Sequence, residues 1–426
     1  MANHGVITLR GGIGRDGDGD VVDRFYAEHL YPLRPCLVAA EAAGSHRWPC
    51  REAWAPGPTS RWAGLRRYGG ADVQVAVCGE RSFDDQARKS MRMHAFLDWM
   101  DARGAVGRGD EEGNPLQTTE SPLEDRLLYL KDWHFCRDAA NHGEEVYAVP
   151  ETFAEDWLND HYAHVLGGAD DYRFCYLGPA GSWTPVHADV LRSHSWSVNV
   201  AGAKTWYLFP PDQSALLIDK WGRDVVYDWR QVDRYRRGVF PDRERAQLEA
   251  LFGPGGTFPY ATRAQPLVAH QGAGEAMFVP AGWFHMVVNT QDTLSINHNW
   301  INAAGLPLTW GFLTTSLASA GRELDDCRAM NSPAEWDALC QNLVRANAGM
   351  GLDDFGAFLC GVADREVVAS RAPGPAWRAR NRDALVAHID ALATLARDRP
   401  GLGVDCTSLE ASLGALRAWD PSLTPS

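Results

Sequence analysis

A histidine and a carboxylate two residues apart on an extended strand share one face and can grip a single metal ion. With 14 His and 55 Asp or Glu in 426 residues, chance alone supplies about two His-x-acid pairs. The chain has three: His142 with Glu144, His187 with Asp189, and His388 with Asp390. Local pattern separates them. His388 and Asp390 lie in a helical stretch, where such positions point about 200° apart. His142 sits in the turn-like AANHGEE. WTPVHADVLRS is extended, so only His187 and Asp189 project together. MFVPAGWFHMVVN then offers His285, at the start of a strand that follows a Pro-Ala-Gly turn. Two imidazoles and one carboxylate on one face of an octahedron form the donor set of non-haem iron(II) centres. Adjacent positions stay open for a bidentate cosubstrate and for O2, which a closed tetrahedral zinc site would not allow.

Strands must position these residues. From 172 to 210 and from 275 to 302 the sequence reads as strands separated by Gly and Pro turns. In SWSVNV, Ser195, Ser197 and Asn199 share one face and Trp196, Val198 and Val200 the other. In SINHNW, Ser295, Asn297 and Asn299 oppose Ile296, His298 and Trp300. Strands with one polar and one apolar face suit a barrel around a polar pocket. Lys204 opens the strand KTWYLF and shares a face with Trp206 and Leu208. An ammonium facing into a barrel needs an anionic partner, and the distal carboxylate of 2-oxoglutarate would be one.

Around this core, residues 1–20 are rich in Gly and Asp and predict a disordered tail. A region of helices and strands is expected over 21–170: a helix then a strand in VVDRFYAEHLYPLRPCLVAA, a strand at 71–77, and a helix over 82–104. A polar loop to about 122, a strand at LLYLKDW, and a helix capped by a Thr152/Glu155 box complete it. The core occupies 171–304. Its charged insert, 219–265, carries eight Lys or Arg between Lys220 and Arg245 and predicts solvated surface. A helical region follows over 305–426, with RAPGPA (371–376) as a linker.

Composition narrows the function. A net charge of −14 argues against direct nucleic-acid binding. Nine cysteines are scattered singly without a CxxC, which fits reduced thiols rather than a disulfide framework or zinc site. No apolar run is long enough to span a bilayer. The N-terminal segment lacks the apolar stretch of a secretory signal, so the cytoplasm is expected, or the nucleus. No GxxxxGK[ST] phosphate loop occurs.

The segments GPAGSWTPVHADVLRSHSWSVNVAGAKTWYLFPP and FVPAGWFHMVVNTQDTLSINHNW resemble the JmjC hydroxylases. LLYLKDWHFCRD and DDYRFCYLGPAGSW resemble most the branch that hydroxylates a lysine of the eukaryotic translation release factor. The likeness covers about residues 20–362. It implies an α+β fold with a mainly β core: a cupin-like, jelly-roll double-stranded β-helix with flanking N-terminal helices and a C-terminal helical region. It also implies a 2-oxoglutarate-dependent dioxygenase that uses Fe(II), 2-oxoglutarate and O2 to hydroxylate a protein lysine, releasing succinate and CO2. His187, Asp189 and His285 fall on the iron ligands and Lys204 on the lysine that pairs with the distal carboxylate. Tyr129, Thr184 and Asn297 fall on positions that hydrogen-bond the cosubstrate. Where some relatives carry a pocket asparagine this chain has Ser197, and Asn199 on the same face is the candidate substitute. The alternatives are a histone lysine demethylase, for which some of the 17 tryptophans would build a methyl-lysine cage, and a non-enzymatic cupin-like metal binder. The latter has no use for a carboxylate clamp.

Overall fold

The computed structural model describes residues 5–10, 21–54, 62–105, 126–140, 145–164, 167–168, 171–368 and 375–419. The described strands are β1 (Ile7–Leu9), β2 (Cys36–Val38), β3 (Asp72–Ser82), β4 (Asp85–Arg92), β5 (Leu128–Trp133), β6 (Arg173–Gly178), β7 (Trp183–His187), β8 (His194–Ala201), β9 (Lys204–Phe209), β10 (Leu267–Gln271), β11 (Ala276–Val279), β12 (Phe284–Asn289) and β13 (Thr293–Trp300). One sheet of nine runs β1-β2-β11-β8-β13-β6-β5-β3-β4 and a second of four runs β10-β9-β12-β7. From β6 to β13 the chain changes sheet at every step except β9 to β10, which stay side by side in the four-stranded sheet, the winding of a double-stranded β-helix.

The alternation read from sequence explains the layering. Trp196, Val198, Val200, Ile296 and Trp300 pack outward into a large apolar core shared with the N-terminal helices through Phe25, Phe96 and Phe153. The serines and asparagines of the same strands therefore face the other sheet, where Trp206, Leu208 and Val287, with Met277 from β11, close a smaller apolar floor. A third cluster lies against the four-stranded sheet. A fourth unites the C-terminal helices Leu306–Glu323, Pro333–Ala348, Leu352–Val368, Pro375–Asp398 and Cys406–Ala418 with Trp157, Leu191 and Ile301. Ser332 and Glu335 form a capping box on the second of these helices.

Four expectations are corrected. Ile7–Leu9 is not part of a disordered tail: it pairs in parallel with Cys36–Val38, and Leu9 is buried. Residues 1–4 and 11–20 lie outside the described residues. The helix expected over 82–104 begins only at Met93. Residues Asp85–Arg92 instead form a hairpin with β3, from Ser82↔Asp85 to Asp72↔Arg92, and that pairing overrides a pattern compatible with either state. The Thr152/Glu155 capping box does not form. Asp156 caps the helix Trp157–His164 through the Asn159 N–H at 2.9 Å, because Glu155 turns inward to Tyr26 and Asn302. Finally, the 219–265 insert is not merely solvated. Its helices Trp229–Arg237 and Asp242–Phe252 bury Trp229, Val232, Leu248 and Phe252 against the four-stranded sheet. Its backbone also accepts at Tyr227 O from the Val186 N–H at 3.0 Å. The loop expected before residue 122 and most of the 371–376 linker fall outside the described residues.

Candidate metal centre and cosubstrate pocket

His187 ends β7 and His285 lies at the start of β12, directly opposite it in the antiparallel ladder. The register shifts just past this pair, and the rings stand 4.3 Å apart between centroids. Two local contacts launch β12. The Ala281 N–H donates to His194 Nδ1 at 2.9 Å, and Trp283 Nε1 donates to Leu33 O at 2.9 Å. Burial holds His194 down to about 3, so its imidazole stays neutral and able to accept.

Three donor atoms from His187, Asp189 and His285 all lie within 4.8 Å of one another. His187 Nε2 stands 4.0 Å from Asp189 Oδ1, and His285 Nε2 stands 3.9 Å from Asp189 Oδ2. Two atoms bonded to one ion at about 2.0–2.2 Å are separated by no more than twice that length, so a small side-chain movement seats one ion among all three. The tautomers fit as well. His187 Nδ1 donates to Pro185 O at 2.8 Å and His285 Nδ1 to Trp283 O at 3.2 Å. Each ring thereby presents a bare Nε2 to the centre. Burial, then the neighbouring His187, lowers His285 to about 4, and neutral imidazole is the ligating form. Ser195 Oγ donates to Asp189 Oδ2 at 2.7 Å and fixes the carboxylate. The residues present fit an octahedral metal with open positions.

Lys204 lies behind this centre at the start of β9, next to a turn at Gly202. That glycine has φ +86°, and a Cβ there would run into the backbone of Asp292 and Thr293. The Lys204 side chain is 2% exposed. Its Nζ donates to Ser295 Oγ at 2.6 Å and to Ser197 Oγ at 3.3 Å. The rings of Trp206 and Tyr176 stand 5.6 and 6.0 Å away. No carboxylate among the described residues pairs with it, and burial lowers it to about 7. A buried cation offered only hydroxyls and aromatic faces is a vacant partner for an anion.

The remaining candidates divide by position. Asn297 joins the clamp, since its Oδ1 accepts from Ser197 Oγ at 2.9 Å. Tyr129 is buried on β5, hydrogen-bonded to Asn289, with its ring 6.0 Å from that of Tyr176. Thr184 is half-buried on β7 opposite Val287. Asn199 stands apart, its amide donating to the backbone carbonyls of Gln271 and Gly272 at 3.2 and 3.4 Å. His388 donates to Ala384 O within its helix, and Asp390 pairs with Arg417. His142 and Glu144 lie outside the described residues. Sequence reasoning did not assign Ser195, Ser295 or Tyr176 to the site. The two serines were visible on the polar strand faces. Tyr176, whose hydroxyl donates to Asp132, becomes a pocket wall only through the pairing of β6 with β13 at Ser295↔Tyr176.

Comparison with known proteins agrees with this geometry. Residues 22–304 match the family described as a cupin-like domain. The chain is similar to proteins named 2-oxoglutarate and iron-dependent oxygenase JMJD4. The zebrafish (Danio rerio) protein is 33% identical over 346 residues, covering 81% of this chain and 73% of the relative. The human protein is 35% identical over 350 residues, covering 82% and 74%. An Arabidopsis thaliana protein named arginine-specific demethylase JMJ20 is 33% identical over 357 residues, covering 80% and 67%.

Proposed function

The chain belongs to the cupin-like JmjC family of 2-oxoglutarate- and iron-dependent oxygenases, and from that premise we propose that it hydroxylates a lysine side chain of the eukaryotic translation release factor. The observation that carries an oxidative function is the placing of two sites about one ring, that of Trp206, 5.8 Å from the His285 ring and 5.6 Å from Lys204 Nζ. A two-histidine, one-carboxylate centre stands near a buried lysine that pairs with no carboxylate among the described residues.

Bound together, iron(II) and 2-oxoglutarate supply the oxidation, in which O2 converts the cosubstrate to succinate and CO2 and one oxygen enters a C–H bond. The protein's part is placement and exclusion of water. His187, Asp189 and His285 would hold the metal, with Ser195 locking the Asp189 carboxylate. Lys204, whose Nζ donates to Ser295 Oγ, would pair with the distal carboxylate of the cosubstrate, and Ser197 with Asn297 lines the same wall. Trp206, with its ring 5.8 Å from that of His285, closes the floor between the two ends. Such a clamp fixes the length of keto acid accepted, because an acid without the distal carboxylate leaves Lys204 buried and unpaired.

The choice of lysine and of the release factor is supported by the resemblance of KDWHFCRD and DYRFCYLGPAGSW to that branch of the family. A second reading, removal of a methyl group from a protein side chain, is favoured by the name of the Arabidopsis relative, an arginine-specific demethylase. Mass spectrometry of the release factor and of methylated lysine and arginine peptides, incubated with Fe(II), 2-oxoglutarate and O2, separates them. One oxygen gained on a release-factor lysine supports the first reading. Loss of a methylene mass from a peptide, with the release factor unmodified, replaces it with the second.

A further inference from the structure

Just past the Asp189 ligand the backbone turns in an unusual way. Leu191 and Arg192, neither of them glycine, both adopt φ 54°, a left-handed conformation that side chains disfavour. The surroundings enforce it. Leu191 is buried in the core of the C-terminal helices. The Arg192 N–H donates to Asp189 O at 3.0 Å and the Ser193 N–H to Val190 O at 2.9 Å. Ser193 Oγ accepts from Asn299 Nδ2 at 3.3 Å.

The turn sends the Arg192 side chain between two aromatic rings. Its guanidinium carbon lies 5.0 Å from the centroid of Phe284 and 5.5 Å from that of Phe312. Phe284 immediately precedes the ligand His285, so the guanidinium stands beside the segments that carry two metal ligands. Three arginines close to the barrel have carboxylates: Arg81 has Asp224 and Arg230 has Asp228, each at 2.8 Å, and Arg88 has Asp85 and Asp132. The Arg192 guanidinium has neither an ion pair nor a hydrogen bond among the described residues. Aromatic rings satisfy the flat faces of a guanidinium but not its N–H edge. The donors of Arg192 therefore await oxygens from outside the chain.

We propose that Arg192 is a substrate-binding residue, whose guanidinium takes two acceptor oxygens of the protein substrate at the lip of the metal pocket. This rests on the reading of the site as one that oxidises a protein. The oxygens come from an acidic side chain near the target residue or from main-chain carbonyls, which share the planar acceptor geometry that an arginine fork matches.

The test measures binding, with turnover blocked by manganese(II) and N-oxalylglycine. Wild type, Arg192→Met and Arg192→Lys are compared on the release factor and on a displayed library of random peptides. Melting temperature and N-oxalylglycine affinity report whether the variants keep their fold and pocket. Arg192→Met, which retains bulk between the rings, is expected to weaken release-factor binding at least about tenfold. Arg192→Lys restores the charge but not the fork, and should fall between. Changing acids near the target to amides then identifies the source: a vanished difference between wild type and Arg192→Met means a side-chain carboxylate, a persistent one main-chain carbonyls. If wild type does not bind the release factor, the proposed substrate fails and the library decides on Arg192. Tighter library binding by wild type than by Arg192→Met supports the proposal. Equal affinities and identical selected sequences for the two proteins overturn it.

Discussion

Lys131 and Lys204 are both buried, at 4% and 2% exposure, yet their surroundings differ in kind. Lys131 stands on β5 beside the β3–β4 hairpin, and its ammonium meets Asp85 Oδ1 at 3.3 Å. Burial of Asp85 is outweighed by Lys131 and Arg88, which hold its carboxyl down to about 2. Lys204 faces serines and aromatic rings in the chamber between the sheets. One lysine has its counter-ion supplied by the chain and serves to tie strands together. The other is held where no carboxylate among the described residues reaches it, and holding a cation there costs stability. Burial alone therefore does not mark a functional cation; the missing partner does.

The largest effect expected lies at the metal end of the chamber. Asp189→Ala or His187→Ala removes one of the protein ligands and should abolish 2-oxoglutarate turnover with the circular dichroism spectrum unchanged. His388→Ala, in a helix far along the chain, should leave turnover as in wild type. Near-normal turnover in either ligand variant would break the comparison at its root, because the chamber would then hold no metal for Lys204 to serve.

Substituting the two lysines tests the contrast directly. Lys204→Ala removes one partner of a buried charge pair and should weaken N-oxalylglycine binding by about 30-fold to several-thousand-fold, or about 2–5 kcal/mol. Iron affinity should change far less. Lys131→Ala should leave N-oxalylglycine affinity unchanged and lower stability by about 1 kcal/mol, because Asp85 is itself partly exposed. Calorimetric titration and urea unfolding give both numbers for both proteins. A loss below about threefold for Lys204→Ala would mean that its charge does not meet the ligand.

The sequence was most legible where one strand carries its own pattern. The alternation of SWSVNV and SINHNW sets the polar face inward, and the extended WTPVHADV puts His187 and Asp189 side by side. What it could not show depends on which strands become neighbours. Tyr176 faces Lys204 because β6 pairs with β13, and Lys131 finds Asp85 because the run 85–92 is a strand and not the helix its spacing suggested. Asn199 illustrates the limit from the other side. Its face was read correctly, but the approach of the Gln271 carbonyl decides what its amide does. Glu155 has the spacing of a capping residue, yet three buried partners, Tyr26, Asn302 and Asn381, draw it inward.

The missing counter-ion also has a pH signature. Burial lowers Lys204 to about 7. A bound carboxylate favours the ammonium and raises that value again. Binding then takes up a proton whenever the pH lies above about 7, so affinity should be level below that point. Above it, affinity should fall by up to about tenfold per pH unit. Titration calorimetry in buffers of different ionisation heat measures the proton directly. A flat affinity from pH 6.5 to 9 with no proton uptake would mean that water or another group already compensates the ammonium, and the contrast with Lys131 would shrink.

The smallest effect expected concerns the outside of the molecule, where the balance of charge is the reverse of that in the chamber. The chain carries a net charge of −14, and the basic insert does little to offset this locally, because Arg230, Arg234, Arg236, Arg237 and Arg245 each pair with an acid nearby. A negative surface attracts a lysine-bearing, locally basic target over distances that salt shortens, the Debye length falling to about 8 Å at physiological ionic strength. Hydroxylation of the proposed release-factor substrate, at limiting concentration, should therefore slow by a few-fold between about 0.05 and 0.3 M salt. Consumption of 2-oxoglutarate without protein substrate should change less, because the Lys204 contact lies out of reach of mobile ions. Measuring kcat/KM and kcat separately across that range tests the division. A decline confined to kcat/KM places the electrostatic contribution in the encounter, before the substrate reaches the pocket. A rate indifferent to salt would leave the chamber chemistry untouched and remove the surface charge from any part in choosing the substrate.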